Sequence, residues 1–161
     1  MIRSFHKNDL KELLEIYNYY VVNTSVTFDI EPLSIETFSD KVNRIKTDYP
    51  FLVYLENNEI LGFAYGSRFR PKPAYDFVVE STVYVGHNAH GKQIGTKLYA
   101  ELLQQLKQTK LHTVLGVLTI PNDASIKLHE KFGFKQVANL EEVGFKFGKW
   151  HNVGIWQLKL V

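Results

Sequence analysis

The sequence contains no cysteine. That absence removes disulfides, thiolate metal sites and a cysteine nucleophile together, and it suits a reducing, cytoplasmic setting. A dominant charge is also missing: 19 Lys and Arg stand against 17 Asp and Glu, the formal net charge is +2, and the lysines are scattered. So weak a bias argues against a nucleic-acid partner. No apolar run approaches the roughly 20 residues of a membrane span. The opening "MIRSFHKNDL" turns polar without an apolar signal-peptide core, so a soluble protein with no membrane partner is expected. Repeats, low-complexity stretches and linkers are absent as well, and residues 1–161 read as one domain. Aromatics are plentiful, at 14% with nine Tyr. They suit either an aromatic-lined pocket or aromatic packing alone.

Ile2–Phe5 reads as a short strand, followed by Asn8 or Asp9 as helix cap, with Asp9 and Glu12 at capping-box spacing. Leu10, Leu13, Leu14, Tyr17 and Val21 then recur at helical spacing to about Val22. Ser34 precedes Ile35, Phe38, Val42 and Ile45, which predicts a second amphipathic helix to about Thr47. "NTSVTFDIEP" between them has no period and suits a loop or irregular strand. Phe51–Leu55 and Ile60–Tyr65, joined through Asn57-Asn58, give a hairpin signal. Further strands are expected at Phe77–Val85 and "HTVLGVL", and helices at about Gly91–Lys107 and over "NDASIKLHEKF", which Gly133 ends. Two last strands flank a Gly- and Lys-containing turn. Seven strands and four helices in this order predict a mixed α/β (α+β) fold around a largely antiparallel sheet.

The segment "GHNAHGKQIG", Gly86–Gly95, has the spacing of a P-loop up to Lys92, but Gln93 stands where a Mg²⁺-binding hydroxyl belongs. A strand leading into a helix still favours an anion at Gly91, Lys92, Gln93, Ile94, Gly95 and Thr96, where unpaired N–H groups meet the positive end of the helix dipole. A plain glycine turn with a solvated Lys92 is the alternative. His87 and His90 have HxxH spacing, but without Cys or a third spaced ligand no metal site is expected.

In its loop, and in "NDASIKLHEKFGF", the chain resembles the GNAT superfamily of acetyl-CoA-dependent N-acetyltransferases. The family loop Q/R-x-x-G-x-G/A aligns with His90, Gln93 and Gly95, so Gln93 departs from a family glycine. Nearly the whole chain is similar to the phosphinothricin and methionine-sulfone acetyltransferases, through "IYNYYVVNTSVTFDIEP", "FRPKPAYDFVVESTVYV", "PNDASIKLHEKFGF" and "VGFKFGKWHNVGIWQL". The resemblance implies the GNAT fold, with splayed strands around an acetyl-CoA site. It also implies acetyl transfer to the α-amine of a small amino-acid analogue, in a protein that is commonly a homodimer.

An attacking amine must shed a proton. Glu80, set in the apolar "FVVESTV", is either a base whose pKa burial raises or a solvent-facing strand residue. Asn122, Ser125 and His129 share a helix stripe by their spacing. By resemblance Glu80 deprotonates the amine, directly or through water, His129 assists proton transfer, Asn122 contacts the pantetheine or the tetrahedral intermediate, and Ser125 lies with it at the cofactor. Which of Glu80 and His129 is the main base stays open. The resemblance also assigns the pantetheine arm to the main chain of Val83, Tyr84 and Val85 and implies Phe28 as a wall of the acceptor pocket. For the acceptor, "RFRPKPAY" supplies Arg70, Lys72 and Tyr75, two cations that suit a carboxylate with a second oxyanion or sulfone; a solvated basic turn is the alternative. Lys146, Trp150 and His151 form a further aromatic-basic cluster. With no Cys to carry an acyl group, direct attack in a ternary complex is expected. Two other functions stay open: acetylation of a different amine (polyamine, antibiotic or protein N-terminus) and a non-catalytic acyl-CoA sensor.

Overall fold

The computed structural model describes residues 1–161. Strands β1 (Ile2–Ser4), β2 (Phe51–Glu56), β3 (Glu59–Arg68), β4 (Val78–Val85), β5 (Thr113–Ile120), β6 (Lys135–Lys146) and β7 (Lys149–Lys159) form one sheet in the order β1-β2-β3-β4-β5-β7-β6. Helices α1 (Leu10–Asn23), α2 (Ile35–Asp48), α3 (Ile94–Lys107) and α4 (Asp123–Lys131) connect them. Every neighbouring pair is antiparallel except β4 with β5. The mixed, largely antiparallel architecture therefore stands as expected.

Helices cover both faces of the sheet, so its central strands read as continuous apolar runs rather than clean alternations. In β2, Phe51 and Val53 join the core beneath α1 and α2 with Leu13, Tyr17, Phe38 and Val42. Leu52 and Tyr54 turn the other way, into the core beneath α3 with Leu98, Leu102 and Leu106. Strand alternation assigns the residues to faces, and burial on both sides fixes the register.

Local signals place most boundaries. Asn57 and Asn58 both adopt positive φ, 51° and 64°, as the tight hairpin requires. Ser34 accepts from the Thr37 N–H at 3.1 Å and caps α2. Gly133, at φ 88°, ends α4. The capping box expected at Asp9 and Glu12 does not form. Asp9 instead accepts from the His6 N–H at 2.7 Å and pairs with both Arg3 nitrogens, at 2.7 and 2.8 Å. Glu12 reaches away to the Ile60 N–H at 3.0 Å. The segment after α1 is loop throughout.

Candidate active site

β4 and β5 pair only from Val78 to Glu80, opposite Thr113 to Leu115. Beyond Glu80 the two strands part, because β5 stays with β7 and β4 with β3. The Gly86 N–H donates to the Leu61 C=O at 2.8 Å. Strand alternation therefore commits the backbones of Tyr84, Thr82 and Glu80 to β3 and turns those of Val83 and Val85 into the gap. The Tyr20 hydroxyl donates to the Val85 C=O at 2.5 Å, so Val83 N–H and C=O and Val85 N–H are the groups left for a ligand.

The chain leaves β4 and enters α3 through a left-handed pair, Gly91 at φ 84° and Gln93 at φ 59°. The first bond closing α3 runs from the Lys97 N–H to the Gln93 C=O at 3.0 Å, so the amides of Ile94, Gly95 and Thr96 have no helical acceptor. They line a 520 Å³ cavity with Val83, Val85 and His90, together with Asn122 at the N-cap of α4 and Ser125 in its first turn. Asn122 Oδ1 caps α4 by accepting from the Ser125 N–H at 3.2 Å.

A second cavity, of 380 Å³, opens on the α1–α2 side of the same gap, and both cavities share Val26, Val83, Tyr84, Asn122 and Ser125. Glu80 lines it, half-buried. Burial pushes its pKa above the ordinary carboxylate value, and the charge of Lys41 partly offsets the rise. Tyr17, Tyr65 and Tyr84 form an aromatic wall. Burial raises all three phenols, Tyr65 to about 12, so they stay protonated. The loop after α1 closes the cavity with Val26, Thr27 and Phe28. It is tied down from several sides. Tyr17 hydroxyl donates to Asp29, Asn18 bonds both the N–H and C=O of Leu33 at 2.9 and 3.0 Å, and Lys146 Nζ donates to the Thr27 C=O at 2.8 Å.

Residues 2–154 match the family model described as an acetyltransferase (GNAT) domain. A phosphinothricin N-acetyltransferase of Streptomyces coelicolor is 40% identical, over 99% of this chain and 95% of its own length. An L-methionine sulfoximine/L-methionine sulfone acetyltransferase of Salmonella typhimurium is 33% identical, over 99% and 94%. The crystal structure of a GNAT superfamily phosphinothricin acetyltransferase from Sinorhizobium meliloti, in complex with acetyl-CoA, superposes with a TM-score of 0.96. It is 30% identical and covers 99% of this chain and 87% of that one. The chain belongs to the GNAT acetyltransferase family.

As a GNAT acetyltransferase it is an acetyl-CoA-dependent enzyme, and its residues fit that cosubstrate. The unpaired amides of α3 suit a pyrophosphate, and the free edge at Val83 suits an extended amide arm. Several expected site residues lie elsewhere. Lys92 is exposed and turns away from the loop, 3.6 Å from Glu56. Tyr84 contributes its side chain, since its backbone is spent on β3. Arg68 bonds the Arg70 and Pro71 carbonyls and pairs with Asp76 at 3.0 Å, which folds the β3–β4 connection outward. Arg70 then lies over Phe69 and Tyr75, and neither Arg70, Lys72 nor Tyr75 lines the acceptor cavity of the chain.

His129 is also outside both cavities. It is 2% exposed and wedged among Tyr99, Phe134 and Gly116, where a Cβ on Gly116 would sit 2.4 Å from the ring. Its Nδ1 lies 2.7 Å from the Ser125 C=O and must carry the proton there; Nε2 has no partner. Burial lowers its pKa, so the ring is neutral. Helix spacing places His129 on the stripe of Asn122 and Ser125, but beyond the first turn of α4 it is Lys127, Leu128 and Lys131 that line the cosubstrate cavity, while the His129 ring packs against Gly116 of β5. Lys146 and His151 are buried structural links, with His151 Nε2 2.9 Å from the Lys146 C=O, whereas Trp150 is exposed.

Sequence reading missed Tyr17, Tyr65 and Lys41. For Lys41 a signal existed: it lies three residues after Phe38 and four before Ile45, on the apolar face of α2.

Proposed function

We propose that the chain acetylates the α-amine of a small amino-acid analogue of the phosphinothricin or methionine-sulfone type, by direct attack with Glu80 as general base. The supporting observation is that the two cavities meet at Val83, Asn122 and Ser125, with a carboxylate of raised pKa in the acceptor half. Bound acetyl-CoA supplies an activated acetyl group. Glu80 accepts the proton that the substrate ammonium must lose before its lone pair is free. Amides of α3 and Val83 hold and orient the cosubstrate, and Phe28 with the tyrosines shuts out water from the acceptor. Direct transfer needs no enzyme nucleophile, in keeping with a chain that has no cysteine.

The reaction belongs in the cytoplasm, where acetyl-CoA is available, and the enzyme works as a homodimer. The support for a dimer is an apolar patch on the β6–β7 hairpin, where Val137, Val143, Phe145, Phe147 and Trp150 are each more than half exposed, next to the edge strand β6. Thiol release from acetyl-CoA, measured with phosphinothricin, methionine sulfone, spermidine and a short peptide, tests the acceptor. The amino-acid analogues should turn over fastest. Preference for spermidine or the peptide would reassign the acceptor, and tight acetyl-CoA binding without thiol release on any amine would make the protein a sensor.

A further inference from the structure

The acceptor cavity holds two charged side chains, Glu80 from β4 and Lys41 from α2. Glu80 is accounted for by the chemistry; Lys41 is not. Its Nζ lies 4.5 Å from the centre of the Tyr17 ring and makes neither a hydrogen bond nor an ion pair within the chain. Burial lowers its pKa, while the charges of Asp29 and Glu80 act to keep it protonated. An ammonium held over Tyr17 beside Ile45 and Tyr65, with no hydrogen-bond acceptor or ion-pair partner, is costly. The arrangement makes chemical sense when a ligand brings the missing anion, since a charge-assisted hydrogen bond is roughly twice as strong as a neutral one. Asp29 accepts from the Tyr17 hydroxyl and forms no ion pair with Lys41, so it acts on the ammonium only at a distance.

Resting on the acceptor class proposed above, we propose that Lys41 is the specificity residue of the acceptor cavity, binding an oxyanion of the substrate while Glu80 takes its amine. The pair would read a zwitterion through two opposite charges presented by different elements. The oxyanion is the α-carboxylate or, in phosphinothricin, the phosphinate. Arg70 and Lys72, the cations expected for this task, lie on the exposed connection outside the cavity.

Steady-state kinetics of wild type, Lys41→Met and Lys41→Arg on three acceptors tests this. Methionine sulfone carries the carboxylate alone, phosphinothricin carries both anions, and 3-(methylsulfonyl)propylamine carries neither. For Lys41→Met, kcat/KM on the anionic acceptors relative to the neutral amine should fall about 10- to 100-fold. The loss should appear mainly in KM and be partly restored by Arg. A fall on both amino acids assigns the carboxylate; a fall on phosphinothricin alone assigns the phosphinate. An equal fall on all three acceptors, or none, overturns the proposal. Calorimetric binding of N-acetyl-methionine sulfone and N-acetyl-phosphinothricin to the CoA-bound protein reads the same contact without turnover. Weakening of either by about tenfold or more in Lys41→Met supports the contact even if the acceptor assignment fails. Unchanged affinity for both overturns it even if the enzyme is active. A thermal midpoint near wild type excludes misfolding as the cause.

Discussion

Half-buried Glu80 and fully buried His129 are two titratable residues whose surroundings send them to different work. Glu80 faces a cavity and has its pKa raised above the ordinary 4.5. Below that raised pKa it holds a proton and cannot accept another, so kcat should rise with pH as Glu80 ionises. Glu80→Gln should lower kcat about 10²- to 10⁴-fold and abolish that acid limb; a retained limb would assign it to another group. His129 faces packed aromatics. Its folded pKa lies below 6.5, so the unfolded chain takes up the proton first as pH falls. Its contribution to stability is therefore complete above 6.5 and is lost as pH drops toward the folded pKa. His129→Leu should cost about 1–3 kcal/mol at neutral pH, lowering Tm by about 2–4 °C per kcal/mol. It should flatten the acid loss of stability and leave the pH–rate limb in place. A vanished limb with unchanged Tm would put His129 in the chemistry. Glu80 was legible because a carboxylate interrupts an apolar strand. The depth of His129 was not, because helical spacing gives a side and not a distance from the gap.

At the scale of elements, the sequence pattern places the entry to α3 three residues before its start at Ile94. Gly91 looks like a helix start, but the left-handed Gln93 delays it to Ile94. A non-glycine residue in that conformation costs about 1–2 kcal/mol, partly offset by the greater freedom glycine has in the unfolded chain. Gln93→Gly should therefore raise stability by about 0.5–1 kcal/mol and leave acetyl-CoA affinity intact. A large loss of affinity in calorimetry would mean that the Gln93 side chain holds the cosubstrate. The loop between α1 and α2 was equally opaque, because its order comes from distant residues. Lys146, 119 positions away, donates to the Thr27 C=O. Lys146→Met keeps the stem and removes that bond, so the acceptor KM should rise about tenfold with little change in the KM of acetyl-CoA. Equal rises in both would count against a wall that serves the acceptor alone.

For the whole molecule, the seven strands and four helices could be read from periodicity and turn residues, whereas their adjacency could not. Placing β7 between β5 and β6, and ending the β4–β5 pairing at Glu80, depends on long-range pairing that leaves no local mark. That placement creates the gap and joins the two cavities. The exposed hairpin belongs to the same scale. Phe145 and Trp150 meet edge-on at 5.1 Å, with 56% and 58% of their surface exposed. With this patch as the proposed dimer interface, the wild type should sediment as a dimer and the double variant Phe145→Glu with Trp150→Glu as a monomer; an unchanged dimer would move the interface elsewhere. Joined cavities allow both substrates to be bound together, as the proposed direct transfer needs. The most direct test is initial velocity measured against acetyl-CoA at several fixed concentrations of methionine sulfone. Intersecting double-reciprocal lines are predicted for transfer within one ternary complex. Parallel lines, with acetylated protein recovered when the acceptor is omitted, would contradict it.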